Sequence, residues 1–447
     1  MALDALLACP RCDTALTFDS DHYRCDPCRT SFPLIDSIPF LFSEPAYALG
    51  EWRARLHFAQ QQLERDAQRA GRELEISGLA ELTRQRLELL QTASREQKRL
   101  ISQLLAPLEM AEPAAAVETY LALRTRLPTD QGLNTYYQNI HRDWCWGDEE
   151  NRRSCELVSD MLPDSPGKVL VLGAGASRLA YDLHQSSSAE LTVAMDFNPM
   201  LLILARRIIS GSSVELYEFP VAPRTLSDHA LRRTLSVDSQ LREGLFFVLA
   251  DALRAPFVAG AFDTVVTPWL VDILPEDFDV FCARINRLVA NNGRWINFGS
   301  IAFAGPMLTD SYSLEEALAT VAANDFGEPR VREDRIPYMC SPASRHGRQE
   351  LVVTFAADKQ RDVKTPPRYK ALPDWLVKGD APVPNNESFQ MQAMSTRVHA
   401  FVMGLIDGRR TIRDMAKLMN DQKLMPRDEA EPTIRNFLIK MYDDSRK

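Results

Sequence analysis

The sequence feature that most restricts the fold is a series of short apolar runs that alternate with helical stretches after Gly167. Strands that are apolar at successive positions are buried on both faces, as happens in parallel sheets with helices on each side. The pattern therefore predicts an α/β domain with a mostly parallel sheet. The predicted strands are 168–172, 191–195, 246–249, 264–266, 294–298 and a closing strand at 351–355.

Glycine and acidic residues follow the first three of these strands. Gly173 and Gly175 come directly after the first strand, where glycines let the backbone approach a ligand at the N-terminus of the next helix. Asp196 ends the second strand, and an acidic side chain there can hold both hydroxyl groups of a ribose. Asp251 and Ala252 follow the third strand, where a carboxylate can accept a hydrogen bond from an adenine amino group. This order indicates a cofactor that contains a nucleoside.

Two cofactors, NAD and S-adenosylmethionine, share this order of contacts. A dinucleotide site would have a third glycine three positions after Gly175, where this chain has Arg178. The turn, the two aspartates and the Phe-Asp-Thr-Val-Val strand at 262–266 instead fit a class I methyltransferase that uses S-adenosylmethionine. A pyridine-nucleotide enzyme and an inactive fold remain the alternatives.

Three segments resemble the carnosine N-methyltransferase family. They are Arg-Asp-Trp at 142–144, the run 169–180 around the glycine turn, and Trp-Ile-Asn-Phe-Gly-Ser at 295–300. The resemblance covers roughly residues 136–355. It implies a Rossmann-like class I methyltransferase fold with a mostly parallel, seven-stranded sheet.

The same resemblance implies the residues that hold the cofactor. It places Asn139 and Arg142 over the methionine end, where a guanidinium can pair with the cofactor carboxylate. An ordinary surface ion pair of Arg142 with Asp143 or Asp148 is the alternative. Pro268 is expected near the sulfonium. The full set of implied cofactor-binding residues is Asn139, Arg142, Gly173, Gly175, Asp196, Asp251, Ala252 and Pro268.

Asp272 is the candidate catalytic residue. Methyl transfer from a sulfonium is an in-line displacement, so the protein mainly has to align a lone pair and hold or remove one proton. Asp272 matches the aspartate with which the carnosine N-methyltransferase family contacts its substrate and orients an imidazole. The alternative is that Asp272 caps the helix that begins near Pro275.

The acceptor half of the chain departs from that family. The family has a histidine after its aspartate and another after its Trp-Ile-Asn segment, whereas here those positions lie in 273–276 and 301–304, which contain none. The late tyrosine cluster is replaced by Ser-Arg-His-Gly-Arg at 344–348. We therefore expect a different nucleophile on a peptide or a small imidazole or amine compound. His346 is either a base or a solvated loop residue.

Four of the eight cysteines form two Cys-x-x-Cys pairs near the start of the chain. Four thiolates at this spacing complete a closed tetrahedral zinc shell, which leaves no position for substrate. The predicted Zn²⁺ is therefore structural, and disulfides or redox thiols are the alternatives. The predicted zinc ligands are Cys9, Cys12, Cys25 and Cys28. The other four, Cys145, Cys155, Cys282 and Cys340, are predicted to be small buried side chains.

The residues after these pairs, 32–41, resemble the small zinc-ribbon protein that partners methyltransferases and is also found fused to them. Ser37 stands where that family usually has glycine. The resemblance covers about the first 45 residues.

Helical segments flank the α/β domain. The spacing of apolar residues predicts long amphipathic helices over 51–108 and a further helix over 113–127, which pack against the domain or form a coiled-coil surface. The segment 399–416 resembles the PqqD-like winged helix of enzymes that modify ribosomal peptides. Peptide capture by strand addition, a structural or dimerising role, and nucleic-acid binding are the alternatives for this module.

Composition limits the partners. The formal net charge is −9 and no basic stripe stands out, which makes a nucleic-acid partner unlikely. The absence of a long apolar run and of a signal-peptide pattern predicts a cytoplasmic protein without a membrane partner. The predicted domains are a zinc ribbon at 1–45, a helical segment at 46–130, a methyltransferase domain at 131–358, a linker at 359–388 and a winged-helix module at 389–447.

The sequence thus predicts an S-adenosylmethionine-dependent methyltransferase. A non-catalytic scaffold that senses the cofactor is the second hypothesis, and an RNA methyltransferase, based on the ribbon alone, is the third.

Overall fold

The computed structural model describes residues 3–111, 117–237, 242–304 and 308–444. Residues 1–373 and 374–447 form two compact units. No helix in the described ranges is both long and apolar enough to cross a membrane.

The first unit begins with a small antiparallel sheet that carries the four clustered cysteines. Its interior is filled by buried side chains such as Tyr23 and Phe32. Ser37, in the turn between the last two strands, has φ of +61°. This is the left-handed region that favours glycine, which explains why the ribbon family usually has glycine there. The strands are β1 Thr17–Asp19, β2 His22–Cys25, β3 Thr30–Ile35 and β4 Ile38–Pro39.

A helical hairpin follows, as the apolar spacing predicts. Side-chain bonds between Gln60 and Ser102 and between Glu64 and Lys98 show that its two long helices run antiparallel. Of the predicted helix over 113–127, only a short helix is found, and residues 112–116 lie outside the described ranges. The helices are α1 Pro45–Leu74, α2 Glu81–Leu104, α3 Ala106–Met110 and α4 Thr119–Arg124.

The α/β domain comes next along the chain. Its first helix continues into a π-helical turn, Arg142–Trp146. The remaining elements are α5 Tyr137–His141, α6 Asp148–Ser159, β5 Lys168–Leu172, α7 Arg178–Ser186, β6 Leu191–Asp196, α8 Pro199–Ile209, β7 Val214–Glu218, β8 Leu231–Leu235, β9 Leu245–Leu249, β10 Phe262–Pro268, α9 Phe278–Leu288, β11 Val289–Gly299, α10 Leu314–Ala323, β12 Arg330–Tyr338 and β13 Arg348–Asp358.

Seven of these strands form one sheet in the order β12-β13-β11-β10-β5-β6-β9. The five strands from β11 to β9 are parallel, and β13 is inserted antiparallel between β11 and β12. This arrangement confirms the predicted Rossmann-like methyltransferase fold with a mostly parallel sheet. It also places the carboxyl ends of the five parallel strands along one edge, where ligands of such sheets bind.

Three strands of the α/β domain, β7, β8 and β12, were not predicted from the sequence. β12 has five charged residues among its nine and is exposed over most of its first half, so it lacks the apolar run of a buried strand. β7 and β8 form a separate two-stranded hairpin, which comes between β6 and β9 along the chain. Its strands are short and partly exposed, and neither was predicted.

The small antiparallel sheet, which is the segment predicted to be a zinc ribbon and is called the ribbon below, contacts the large sheet at its β9 edge. The amide of Leu41 donates to the carbonyl of Leu249 at 2.8 Å, and Phe40 forms a parallel bridge with the same residue. On the neighbouring side, the amide of Ala8 donates to the carbonyl of Pro256 at 2.8 Å. The ribbon is therefore bound through backbone hydrogen bonds to the end of the strand that precedes Asp251.

The regular elements among the described residues of the second unit are all helices. Thr411 caps α13 in a capping box with Asp414. The strands that would form the wing of a winged helix are not among residues 374–444 as described, so the PqqD-like assignment stays a prediction. The helices are α11 Asp374–Lys378, α12 Glu387–Gly404, α13 Ile412–Asp421 and α14 Arg427–Asp444.

Candidate functional site

The glycine turn lies between β5 and α7, at the carboxyl edge of the sheet. Gly173 and Gly175 have φ of +78° and +56°, which other residues rarely adopt. The amide of Gly173 donates to the carbonyl of Met195 at 2.9 Å, which anchors the turn to β6. A Cβ atom on Gly173 would meet Leu270, whereas one on Gly175 would meet nothing within 4 Å. The backbone of Gly175 therefore faces open space that a ligand can enter.

Asp196 ends β6 beside this turn and is buried. Its carboxylate accepts hydrogen bonds from the amide of Gly175 at 2.8 Å and from that of Asn198 at 2.9 Å. Burial raises the pKa of Asp196 to about 6, and the backbone donors only partly oppose this. Among the described residues, no basic side chain forms an ion pair with Asp196. A buried carboxylate without a cation suits a neutral donor such as a ribose hydroxyl.

Asp251 and Ala252 follow β9 at the same edge. The Asp251 carboxylate accepts from the amide of Leu253 at 2.9 Å and so caps a short 3₁₀ helix, Ala252–Arg254. Burial raises the pKa of Asp251, while the Leu253 amide and the charge of Arg254 oppose the shift. The sheet order thus brings the predicted adenine contact next to the predicted ribose contact.

Arg142 opens the π-helical turn, and its guanidinium is almost fully buried. Nε lies 2.7 Å from an oxygen of Asp143, and Nη1 lies 3.1 Å from an oxygen of Glu150. The alternative ion pair with Asp143 is therefore present, although it is buried rather than at the surface, and Asp148 lies near Arg178 instead. The contact of Arg142 with a cofactor stays a prediction. The two carboxylates raise the pKa of Arg142 against the cost of burial.

These ion pairs engage two of the three nitrogens of the Arg142 guanidinium. The predicted contact with a cofactor carboxylate is therefore limited to Nη2. Asn139 is half-buried, one turn before Arg142 on α5.

Pro268 ends β10 and is buried, and the chain bends sharply directly after it. Trp269 has φ of +50°, and its amide donates to the carbonyl of Phe298 at 2.7 Å. The indole ring lies 4.7 Å from the ring of Tyr338, which ends β12. The bend therefore joins the parallel strands to the antiparallel pair at the carboxyl edge.

Asp272 lies three residues beyond this bend and is half-buried. Its carboxylate accepts from the amide of Ala302 at 3.1 Å. Burial raises the pKa of Asp272, hydrogen bonds to Ser300 and the backbone lower it, and the charge of Glu350 raises it further. The alternative role is wrong, because α9 begins at Phe278 and Asp277 caps it.

A cavity of about 190 Å³ is lined by Tyr338 at the end of β12, and Asp272 is not among the residues that line it. It lies between the π-helical turn and the start of β13, and half-exposed Arg348 stacks on Tyr338 at 4.6 Å in its wall. Arg348 also pairs with Glu350 at 2.6 Å, so the cavity wall and Asp272 share one charged neighbour. His346 lines the cavity but is exposed, as expected of a solvated loop residue. The lining residues used below are Gln138, Trp146, Tyr338, Ser341, His346 and Arg348.

Glu218 is a site residue that sequence reasoning missed. It ends β7, is fully buried, and pairs with Arg233 at 2.8 Å. Its other oxygen accepts from the indole of Trp146 at 3.1 Å and from the hydroxyl of Ser341 at 2.6 Å. Glu218 therefore fixes two walls of the cavity. A buried acid in an unpredicted hairpin gives no sequence signal.

The four clustered cysteines meet the requirements of a zinc site. Their sulfur atoms all lie within 4.8 Å of one another. The amide of Arg11 donates to the sulfur of Cys9 at 3.4 Å, and hydrogen bonds to Thr14 help lower the pKa of Cys12 to about 6. Four sulfurs at this separation fit a tetrahedral Zn²⁺ with no open position.

The remaining cysteines divide into two groups. Cys282 is buried and Cys155 half-buried, in line with the expectation. Cys145 and Cys340 are exposed, so the expectation is wrong for these two. Cys145 lies in the π-helical turn and Cys340 lies in the loop after β12. Neither side chain is buried in the core.

No protein-family model matches the chain, and no curated protein matches it. Several solved structures are similar at low identity. An S-adenosylmethionine-dependent methyltransferase from Listeria monocytogenes is 13% identical, with 48% of this chain and 100% of that chain covered and a TM-score of 0.33. Phosphoethanolamine N-methyltransferase 2 from Haemonchus contortus, solved with S-adenosyl-L-methionine, is 12% identical, with 56% and 62% covered and a TM-score of 0.34.

A chain from the complex of a methyltransferase activator with a methyltransferase of Haloferax volcanii is 11% identical, with 52% of this chain and 100% of that chain covered and a TM-score of 0.35. At these sequence identities and TM-scores, the similarity carries no conclusion about function. The fold and site described above rest on strand order and on side-chain contacts instead.

Replacing Cys9 and Cys25 together by serine is expected to remove bound zinc, because two thiolates are lost from the closed shell. The melting temperature should fall by roughly 5 °C or more, since a structural metal contributes folding free energy. Zinc content by plasma mass spectrometry and differential scanning calorimetry measure the two effects. Cys340→Ser, at an exposed position, is the matched control and should change neither. Zinc retained by the double variant would count against the four-sulfur site.

Proposed function

We propose that this protein is an S-adenosylmethionine-dependent methyltransferase. The observation that carries the proposal is the order of groups along the carboxyl edge of the sheet. The glycine turn follows β5, Asp196 ends β6 and Asp251 follows β9. In the same sheet, β13 runs antiparallel to both of its neighbours. The resemblance of 136–355 to the carnosine N-methyltransferase family supports the same activity.

The residues at this edge fit the cofactor from end to end. Gly175 leaves room for it, Asp196 is a buried acceptor suited to ribose hydroxyl groups, and Asp251 and Ala252 would meet the adenine. Arg142, through Nη2, would bind the cofactor carboxylate, with Asn139 alongside. When bound, S-adenosylmethionine supplies an electrophilic methyl group on its sulfonium. Pro268, at the end of β10, would lie near that end.

The acceptor would bind in the cavity between Tyr338 and Trp146. Asp272 would orient its nucleophile and take up its proton, which a carboxylate with a raised pKa does better than an ordinary one. Asp272 is held in place by the Ala302 amide, so little reorganisation is needed. A nitrogen nucleophile, on a peptide or a small imidazole or amine compound, is the acceptor we propose. The residue that aligns it is Asp272.

Two other functions remain to be compared with this proposal. A non-catalytic scaffold would bind the cofactor with the same residues but would not depend on Asp272 for any turnover. An RNA methyltransferase is favoured only by the ribbon, and the net charge of −9 argues against it. A cytoplasmic location and peptide binding by the second unit belong to the proposal as well.

The affinity for S-adenosylhomocysteine is expected to fall as the pH is lowered through about 6. The ionised Asp196 accepts hydrogen bonds from ribose hydroxyl groups, whereas the protonated acid accepts them poorly. Because the free protein has its Asp196 pKa near 6, ligand binding below that pH must release a proton. The loss approaches about tenfold per pH unit well below the pKa. Isothermal titration calorimetry between pH 5 and 8 measures it.

The matched variant for this experiment is Asp196→Asn, with circular dichroism to verify folding. It should bind weakly at every pH and show no step near pH 6. Equal wild-type affinity at pH 5 and pH 7.5 would show that Asp196 does not contact the ribose.

Asp272→Asn is expected to lower kcat/KM about 100-fold or more, because an amide cannot accept the proton of the acceptor. Binding of S-adenosylhomocysteine should be unchanged. Turnover is measured by release of S-adenosylhomocysteine with a panel of histidine-containing and amine-containing peptides and small compounds. Asp164→Asn, in an exposed loop, is the control. Wild-type turnover by Asp272→Asn would reject its role, and cofactor binding without turnover on any acceptor would favour the scaffold.

A further inference from the structure

A second cavity, of about 220 Å³, lies where the ribbon, α9 and the segment after β13 meet. It is separate in its lining from the cavity assigned to the acceptor. Four arginines from three segments converge on it. They are Arg254 from the 3₁₀ helix after β9, Arg284 and Arg287 from α9, and Arg368 from the segment beyond β13.

The acidic partners of these arginines are too few to neutralise them. Asp13, in the ribbon, is shared by Arg287 at 3.2 Å and Arg368 at 2.6 Å, each through one nitrogen. Arg284 is paired with Glu276 at 2.6 Å. Four guanidinium groups therefore face two directly paired carboxylates, and the charge of Asp251 also acts on Arg254. The arginines outnumber these three carboxylates by one.

Arg254 accounts for much of this surplus. Its guanidinium donates to the carbonyl of Tyr369 at 2.7 Å and to the hydroxyl of Ser43 at 3.3 Å. Among the described residues, no carboxylate lies within ion-pair distance of it. Burial lowers the pKa of Arg254 to about 10; the charge of Asp251 opposes this, and the cations of Arg368, Arg284 and Arg124 add to it.

We propose that this cavity is a binding site for a phosphate-type oxyanion. A tetrahedral oxyanion balances the excess of positive charge, and it can accept from guanidinium groups that approach from different directions. The volume is below the roughly 300–1,000 Å³ of pockets for whole small molecules. The site therefore takes an inorganic phosphate or the terminal phosphate of a small ester.

An anion bound in this cavity would contact three separate segments of the chain. Asp13 lies next to the predicted zinc ligand Cys12, and Ala252, which also lines the cavity, lies next to the predicted adenine contact Asp251. A bound oxyanion would join the ribbon, α9 and the 365–368 segment at one point. The proposal does not depend on methyl transfer and would hold for a scaffold as well.

The test is isothermal titration calorimetry of the full chain with inorganic phosphate, at pH 7.5 and constant ionic strength. Saturable binding is expected with phosphate, and none with acetate at the same ionic strength. A parallel titration with O-phosphoserine distinguishes the sources, because tighter binding than that of phosphate assigns the site to an ester. Absence of saturable binding by both phosphate and O-phosphoserine would overturn the proposal.

Charge variants at the cavity give changes of opposite sign. Arg287→Gln with Arg368→Gln should weaken phosphate binding at least about tenfold, because two charged donors are lost. Asp13→Asn should tighten it, since a competing carboxylate is removed, and asparagine tolerates the positive φ of 63° at that position. Arg361→Gln, which is 80% exposed and paired with Asp325 outside the cavity, is the control and should bind as the wild type does. Unchanged binding in both cavity variants would contradict the site.

Discussion

The fold depends on how the edge of its large sheet is covered. β9 is the last strand of that sheet, and its free edge would present unpaired amides and carbonyls to solvent. The small N-terminal sheet covers part of this edge, through the bond between Leu41 and Leu249 and the parallel bridge of Phe40 to the same residue. Its buried side chain Phe32 belongs to the same hydrophobic cluster as Val248 of β9. Edge pairing and packing therefore tie the small sheet to the strand that precedes Asp251.

Buried acids, rather than basic groups, organise the other end of the site. Glu150 pairs with Arg142 and also accepts from the amide of Met339 at 2.8 Å, so it joins the π-helical turn to the end of β12. Glu218 links the β7–β8 hairpin to Trp146 and Ser341 in the same region. Each acid would be costly to bury alone but is supplied with several donors. Such networks hold the cavity wall in one arrangement, which a reaction that depends on alignment requires.

The sequence predicted those parts of the fold in which local pattern and burial agree. β5 and β9 are apolar at nearly every position, and β6, β10 and β11 each contain a buried, largely apolar run. Gly173 and Gly175 have the positive φ that their placement implied. β12 could not be predicted, because most of its residues are charged and it pairs with only one strand, β13. The role of Arg142 could be predicted only in part. Its partner Glu150 lies eight residues on, and nothing in the local sequence distinguishes a buried ion pair from an exposed one.

The cavity lined by Trp146 and Tyr338 and the proposed cofactor edge differ in how far the sequence predicts them. Most of the cavity lining comes from the segment after β7 and from the loop between β12 and β13, which carry no strong sequence pattern. The cofactor edge is bounded by β5, β6 and β9, whose sequences follow the expected pattern closely. Glu218 joins Trp146 to Ser341, which lie far apart in the chain, whereas Glu350 pairs with Arg348 only two residues away. The segment 344–348, which departs from the pattern of the carnosine N-methyltransferase family, contributes Ser344, His346 and Arg348 to the wall of the cavity in which the proposal places the acceptor.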